Sequence, residues 1–217
     1  MNLKNIPAIM KILSKEFPSN EQTTLNRMRK KPNAFKVLIS CLLSLRAKDE
    51  TTEVISQNLF KIADTPQTIL KIPTRKLEKI IFSTGHYRKK ARVLKHVCKE
   101  LIERFESKVP KTREELMSIK GVGLKTANVV LAFAFGQQVV VVDTPVHRIS
   151  NRIGFVKTKN ADKTEPELTK ILPKKYVTEI NGIFILFGRE ICQPVSPWCS
   201  KCPIKKYCSR VGVKRSR

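Results

Sequence analysis

The sequence predicts an all-α protein, and three observations carry that expectation. The only strand-like run is Val139 to Val142. The other apolar residues recur at helical spacing in short segments bounded by Pro, Gly or Asn. No internal repeat or low-complexity linker interrupts them. At 217 residues and 41% hydrophobic content, the chain can bury a core, in one domain or two small ones. Its 43 Lys+Arg against 18 Asp+Glu give a formal charge of +25, which implies an anionic partner, nucleic acid before any other. No apolar run approaches the roughly 18 residues of a membrane span. The N-terminal stretch lacks the uninterrupted apolar centre and small-residue cleavage site of a signal peptide. The expectation is an intracellular protein with reduced cysteines.

The elements follow in order. Ile6, Ile9, Leu13 and Phe17 form one stripe of a first helix that runs to about Pro18. Glu21 to Lys31 is polar and basic. Asn33 is placed to cap a helix in which Phe35, Leu38, Ile39 and Leu42 face inward, with Cys41 as a small core residue. The turn Ser44-Leu45-Arg46-Ala47-Lys48-Asp49 comes next. Val54, Ile55, Leu59 and Ile62 mark a short helix, and Thr65-Pro66 starts another with proline at a favoured first position. Pro73-Thr74 opens a third, with Leu77, Ile80 and Ile81, ended by Ser83-Thr84-Gly85. Tyr87, Leu94, Cys98, Leu101 and Phe105 trace a longer helix.

The stretch from Glu114 to Arg152 organises the rest. Thr112 and Glu115 read as a capping box at the start of a helix whose apolar positions are Leu116 and Ile119. Lys120-Gly121-Val122-Gly123 breaks that helix, because glycine accepts backbone angles that other residues resist. Helical periodicity resumes with Ala127, Val130, Leu131 and Ala134. The two glycines leave backbone N–H groups bare at a positive helix end, which suits a phosphate, and Lys125 sits in that first turn. An extended run through Val142 then delivers Asp143, where Asp143-Thr144-Pro145 is also a good helix start. Val146 and Ile149 continue that helix, Asp162 to Leu172 suggests another, and Val177 to Phe187 is apolar nearly all round, as in a buried helix.

Cys192, Cys199, Cys202 and Cys208 are spaced C-x6-C-x2-C-x5-C. In a reduced compartment such a group binds metal. Thiolate ligands suit zinc or an iron–sulfur cluster, and the residues by themselves leave both open.

Gly121-Val122-Gly123-Leu124-Lys125-Thr126-Ala127, followed by Val142-Asp143-Thr144, resembles the helix-hairpin-helix and catalytic aspartate of the endonuclease III family of DNA glycosylases. Gly85-His86-Tyr87-Arg88-Lys89-Lys90-Ala91 resembles the family's Gly-x-Tyr-x-x-Lys-Ala, and the cysteine spacing is similar to that of its terminal [4Fe–4S] cluster. The resemblance covers about Asn5 to Cys208. It implies a two-lobed fold, with a six-helix lobe at 22–136 holding the hairpin. The second lobe would comprise 1–21 and 137–217, with a [4Fe–4S] cluster on Cys192, Cys199, Cys202 and Cys208.

The activity implied is base-excision repair. A bifunctional N-glycosylase would remove oxidised pyrimidines and cleave the abasic site through a Schiff base and β-elimination. Lys125 maps onto the nucleophile that attacks C1′, and Asp143 onto the essential carboxylate. DNA contacts are expected at Arg46, Lys120, Gly121, Val122, Gly123, Thr126 and Arg148. Arg46 stands where the family carries a glutamine that fills the gap left by the extruded base. The family's DNA-touching loop between the first two cysteines is here Gln193 to Trp198 and contains no basic residue; Lys201, Lys205, Lys206 and Arg210 lie further on. The expected partner is double-stranded DNA with a damaged base or abasic site, with no membrane partner. The enzyme is expected to be monomeric and either cytoplasmic, associated with the nucleoid, or otherwise intracellular with DNA. The adenine-mismatch branch is disfavoured because Phe35 to Leu45 holds no carboxylate, and the thymine–uracil mismatch branch because it has tyrosine where Lys125 stands. Two further readings compete: a non-catalytic DNA binder and a zinc-stabilised RNA-binding module.

Overall fold

A computed structural model describes residues 3–18, 32–47 and 49–217. Glu21 to Lys31, Lys48 and the lobe boundary expected at 21/22 lie outside the described residues. Among the described residues every regular element is a helix. The α-helices are α1 (Ile6–Glu16), α2 (Ala34–Ser44), α3 (Asp49–Ile62), α4 (Pro66–Lys71), α5 (Thr74–Ile80), α6 (Tyr87–Phe105), α7 (Arg113–Ser118), α8 (Leu124–Ala134), α9 (Thr144–Ile153), α10 (Ala161–Ile171) and α11 (Ile180–Glu190). No helix among the described residues is long and apolar enough to cross a membrane.

The helix starts follow from their caps. Asn33, Thr65, Thr112, Asp143 and Asn160 each accept a backbone N–H from the first turn that they open. The box at Thr112 differs from expectation. Its hydroxyl accepts from Glu115 N–H at 3.3 Å, but Glu115 Oε2 returns to that same hydroxyl, at 2.7 Å, and not to the Thr112 backbone. On α3 the expected Val54 and Ile62 are 57% and 54% exposed. Thr52, Ser56 and Leu59 face inward, with Ala63 just past the helix, because the buried stripe falls one register away. The expected strand run Val139 to Val142 pairs with no strand among the described residues. Asn181 Nδ2 donates to Val141 O at 3.3 Å, and Val140 and Val142 enter the core as apolar plugs.

The chain divides into two compact units, Met1–Thr23 with Gln138–Arg217, and Thr24–Gln137. In the first, Ile6, Ile9, Met10 and Leu13 of α1 pack with Ile149, Ile183, Phe184 and Phe187, and the Phe17 and Phe187 rings lie 5.3 Å apart. In the second, α2 packs on α8 and α4 on α6. Both α2 and α8 are buried over most of their residues, which explains why neither shows a narrow apolar stripe.

Candidate active site and cysteine centre

The hairpin between α7 and α8 is held from behind and open in front. Arg104 Nη2 donates to Ser118 Oγ at 2.9 Å and fixes the end of α7. Gly121 has φ +104°, and a Cβ there would stand 2.8 Å from Val93 Cγ1, so glycine is required twice over. Gly123 is the N-cap of α8 and offers no side-chain acceptor, which leaves the first amides of the helix uncapped. Lys120, Gly121, Gly123 and Lys125 are exposed beside them. Val122 and Thr126 are buried, at 5% and 3% exposure. The Val122 N–H is spent on Ile119 O at 3.0 Å, and the Thr126 hydroxyl bonds the Cys41 thiol. Burial pushes the Cys41 thiol up against the opposing pull of nearby Lys125.

Leu42, Leu45, Arg46, His86, Lys89, Lys90, Val93 and Gly121 line a cleft of about 450 Å³ in the same unit. Two of them hold left-handed backbones that non-glycine residues seldom adopt, Arg46 at φ +57° and His86 at φ +47°. Both are exposed. Lys90 is buried at 8% exposure, and its Nζ donates to Leu43 O at 2.7 Å and Thr84 O at 2.8 Å. Burial draws its pKa down to about 8. Sequence reading placed Lys90 in a family motif but gave it no role.

In the other unit, Asp143 is half-buried and caps α9, with Oδ1 accepting from Val146 N–H at 2.9 Å. Arg148 is held within this unit: its Nη2 donates to Cys192 O at 2.9 Å, and Gly188 lets α11 close to within contact of it. Burial lowers the Arg148 pKa. His147 belongs to a polar network in which its Nδ1 meets Thr164 Oγ1 at 2.7 Å and Asn151 Nδ2 donates to Thr158 Oγ1 at 3.1 Å.

Cys192, Cys199, Cys202 and Cys208 line one small cavity floored by Ile153, Phe187 and Ile204. Burial pushes the Cys202 thiol up to about 11, and the other three cysteines push the same way. Among the described residues no three His, Cys, Asp or Glu side chains converge on a single-ion site. Arg152 is the residue that sequence reading missed. Buried on α9, it donates to Gln193 O at 2.8 Å, Pro194 O at 3.1 Å and Cys192 Sγ at 3.4 Å. Its own carbonyl accepts Val211 N–H at 3.0 Å. Its spacing of four from Arg148 was the available signal, since both then project from one side of α9.

Residues 39–174 match the HhH-GPD superfamily of base excision DNA repair proteins, so the chain belongs to that class of helix-hairpin-helix repair enzymes. Within it the chain is a member of the endonuclease III family. It is 41% identical to endonuclease III of Thermotoga maritima over 94% of this chain and 92% of the relative. It is 34% identical to that of Bacillus subtilis over 100% and 97%. A solved structure of a trapped endonuclease III–DNA covalent intermediate superposes with a TM-score of 0.87 at 34% identity, covering 97% of both chains. A thermostable thymine-DNA glycosylase shares the fold, with a TM-score of 0.85 at 23% identity. The chain is a DNA glycosylase and abasic-site lyase of base-excision repair.

Proposed function

We propose that Lys125 is the nucleophile and Asp143 the essential carboxylate of this enzyme, acting on double-stranded DNA that carries an oxidised pyrimidine or an abasic site. One observation carries the assignment. Lys125 is exposed in the first turn of α8, beside amides that its glycine N-cap leaves without a side-chain acceptor. Such a helix end binds phosphate through backbone N–H groups without reading sequence. It would hold the sugar–phosphate beside the amine while the damaged base is turned out of the stack. The free amine attacks C1′, the glycosidic C–N bond breaks, and the base leaves with the electron pair. The sugar ring opens to a Schiff base on Nζ, and loss of the C2′ proton expels the 3′ phosphate. The Asp143 carboxyl accepts an N–H at the start of α9, which holds it in place to steady positive charge on the sugar. The solved relative at 34% identity is itself a trapped covalent DNA intermediate, in keeping with this chemistry.

The same reading gives Lys120, Gly121 and Gly123 phosphate contacts, and makes Arg46 the residue offered to the gap opposite the flipped base. Thr126 contributes backbone only, Val122 holds the turn with its N–H on Ile119 O, and Arg148 acts through the cysteine loop that it holds. The 22–136 segment serves as the hairpin lobe, and 1–21 with 137–217 as the cysteine lobe. Four thiols that line one cavity would suit a zinc ion or a [4Fe–4S] cluster, and their C-x6-C-x2-C-x5-C spacing, similar to that of the endonuclease III family, favours the cluster. An N–H from Arg152 and one from Arg210 reach Cys192 Sγ and Cys208 Sγ, as the sulfurs of such a cluster require. When bound, the cluster would brace the C-terminal segment. The site of action is intracellular, with the nucleoid.

The test is borohydride trapping on a duplex with one abasic site, comparing wild type with Lys125→Ala. An adduct in wild type alone is expected. An adduct that survives the substitution would move the nucleophile elsewhere.

A further inference from the structure

The loop that the family lays against DNA is uncharged here, yet it is covered by a basic tail. After Cys208 the chain turns back over the cysteine cavity. Ser209 N–H donates to Ile153 O at 3.1 Å, and Val211 N–H to Arg152 O at 3.0 Å. Val213 lines the cavity beside the four cysteines. Arg217 then closes on the loop: its N–H donates to Pro197 O at 2.8 Å, its carbonyl accepts Ser200 N–H at 2.9 Å, and its Nε donates to Ser196 O at 2.9 Å. Its guanidinium carbon lies 4.1 Å from the Trp198 ring centroid, with Lys201 Nζ at 5.1 Å from the same ring. Nη2 also donates to the Gln193 side chain. The loop and tail are thus one folded piece with several mutual bonds.

That piece has a single sign of charge. From Gln193 to Arg217 there is no Asp or Glu, while Lys201, Lys205, Lys206, Arg210, Lys214, Arg215 and Arg217 are all present and exposed. Lys205, Lys206 and Arg210 line one shallow depression with Pro203. Lys214 and Arg215 make no ion pair among the described residues. Arg217 is spent on the latch. A dense cationic surface without neutralising partners suits the phosphate backbone of a nucleic acid, and duplex DNA is the polyphosphate on which this enzyme acts.

We propose that the latched tail, through Lys214 and Arg215 together with Lys205, Lys206 and Arg210, grips the phosphate backbone of duplex DNA in place of a basic cysteine loop. The proposal rests on the reading of the chain as a DNA-acting enzyme. Arg217 is a positioning residue, and the tail binds only when latched.

The experiment titrates a labelled undamaged duplex against salt, by anisotropy, with full-length protein. K214A/R215A is expected to reduce the slope of log affinity against log salt by about 2, since each phosphate contact contributes roughly 0.9. K174A/K175A, which removes two exposed lysines elsewhere in the same unit, is the control and should leave the slope nearly unchanged. In an R217A background, adding K214A/R215A should change little, because the latch is already lost. An unchanged slope for K214A/R215A overturns the proposal, as does an equal loss in the control or full additivity with R217A. Borohydride adduct formation on abasic DNA, followed in wild type and in the K174A/K175A control, tests the enzyme reading separately. Absence of an adduct from wild type would count against the enzyme reading and leave the salt comparison standing.

Discussion

Lys90 shows how one side chain can be structural and still set a pH response. Its amine is buried against Leu43 O and Thr84 O, and burial holds its pKa near 8 instead of the ordinary 10.5. Between those values the unfolded chain binds the proton that the folded chain has released, so stability rises with pH across that window. Below about pH 8 the cost of burying the charge is present in full. Lys90→Met removes the titration. Urea unfolding between pH 8 and 10 should show wild type gaining stability relative to the variant with a slope approaching one proton, about 1.4 kcal/mol per pH unit. Parallel midpoints would show that Lys90 is not the group responsible. The neighbouring Arg46 and His86 make a second point at this scale. Their left-handed backbones place two cationic or polar side chains on the rim of one cleft. A sequence shows which residues lie in a turn, but not that two turns far apart along the chain share a cleft.

Helix α9 carries the clearest test at the scale of an element. Asp143 has two jobs, N-cap and proposed catalytic carboxylate, and the two can be separated. Asp143→Ala removes the cap and should cost about 1 kcal/mol, within the usual 0.5–2. Asp143→Asn keeps an acceptor oxygen for Val146 N–H, so unfolding should stay close to wild type while base release falls sharply. Stability and activity falling together in Asp143→Asn would mean that the cap alone explains the residue. Much at this scale was legible in the sequence. The hairpin, the caps at Asn33, Thr65 and Asp143, and the buried α11 follow from short-range patterns of cap residues, glycine and apolar spacing. The misses share a cause. The inward face of α3 uses Thr52 and Ser56, and the Val139 to Val142 run is held by an asparagine from α11 and not by a strand. Both depend on what lies opposite, which local periodicity does not contain. Arg152 is the same case, because its partners lie about forty residues further along.

The charge of the whole molecule sets opposite responses of stability and binding to salt. With 43 basic and 18 acidic residues, the cations outnumber the side-chain carboxylates by 25, whatever the fold. The ion pairs that do form include Lys36–Asp64 at 3.6 Å and Lys108–Glu106 at 2.9 Å, and such exposed pairs contribute at most about 1 kcal/mol each. Self-repulsion among the surplus is long-ranged. It acts over about 30 Å at 0.01 M salt and only about 8 Å at 0.15 M. Screening therefore removes more repulsion than attraction, and the compact state gains. Thermal unfolding of the free protein should move to higher temperature as sodium chloride rises through that range. Over the same range its affinity for undamaged duplex should fall steeply, because each counterion released from the neutralised phosphates gains less entropy when salt is already concentrated. A melting temperature that falls with salt would show that the few ion pairs outweigh the surplus.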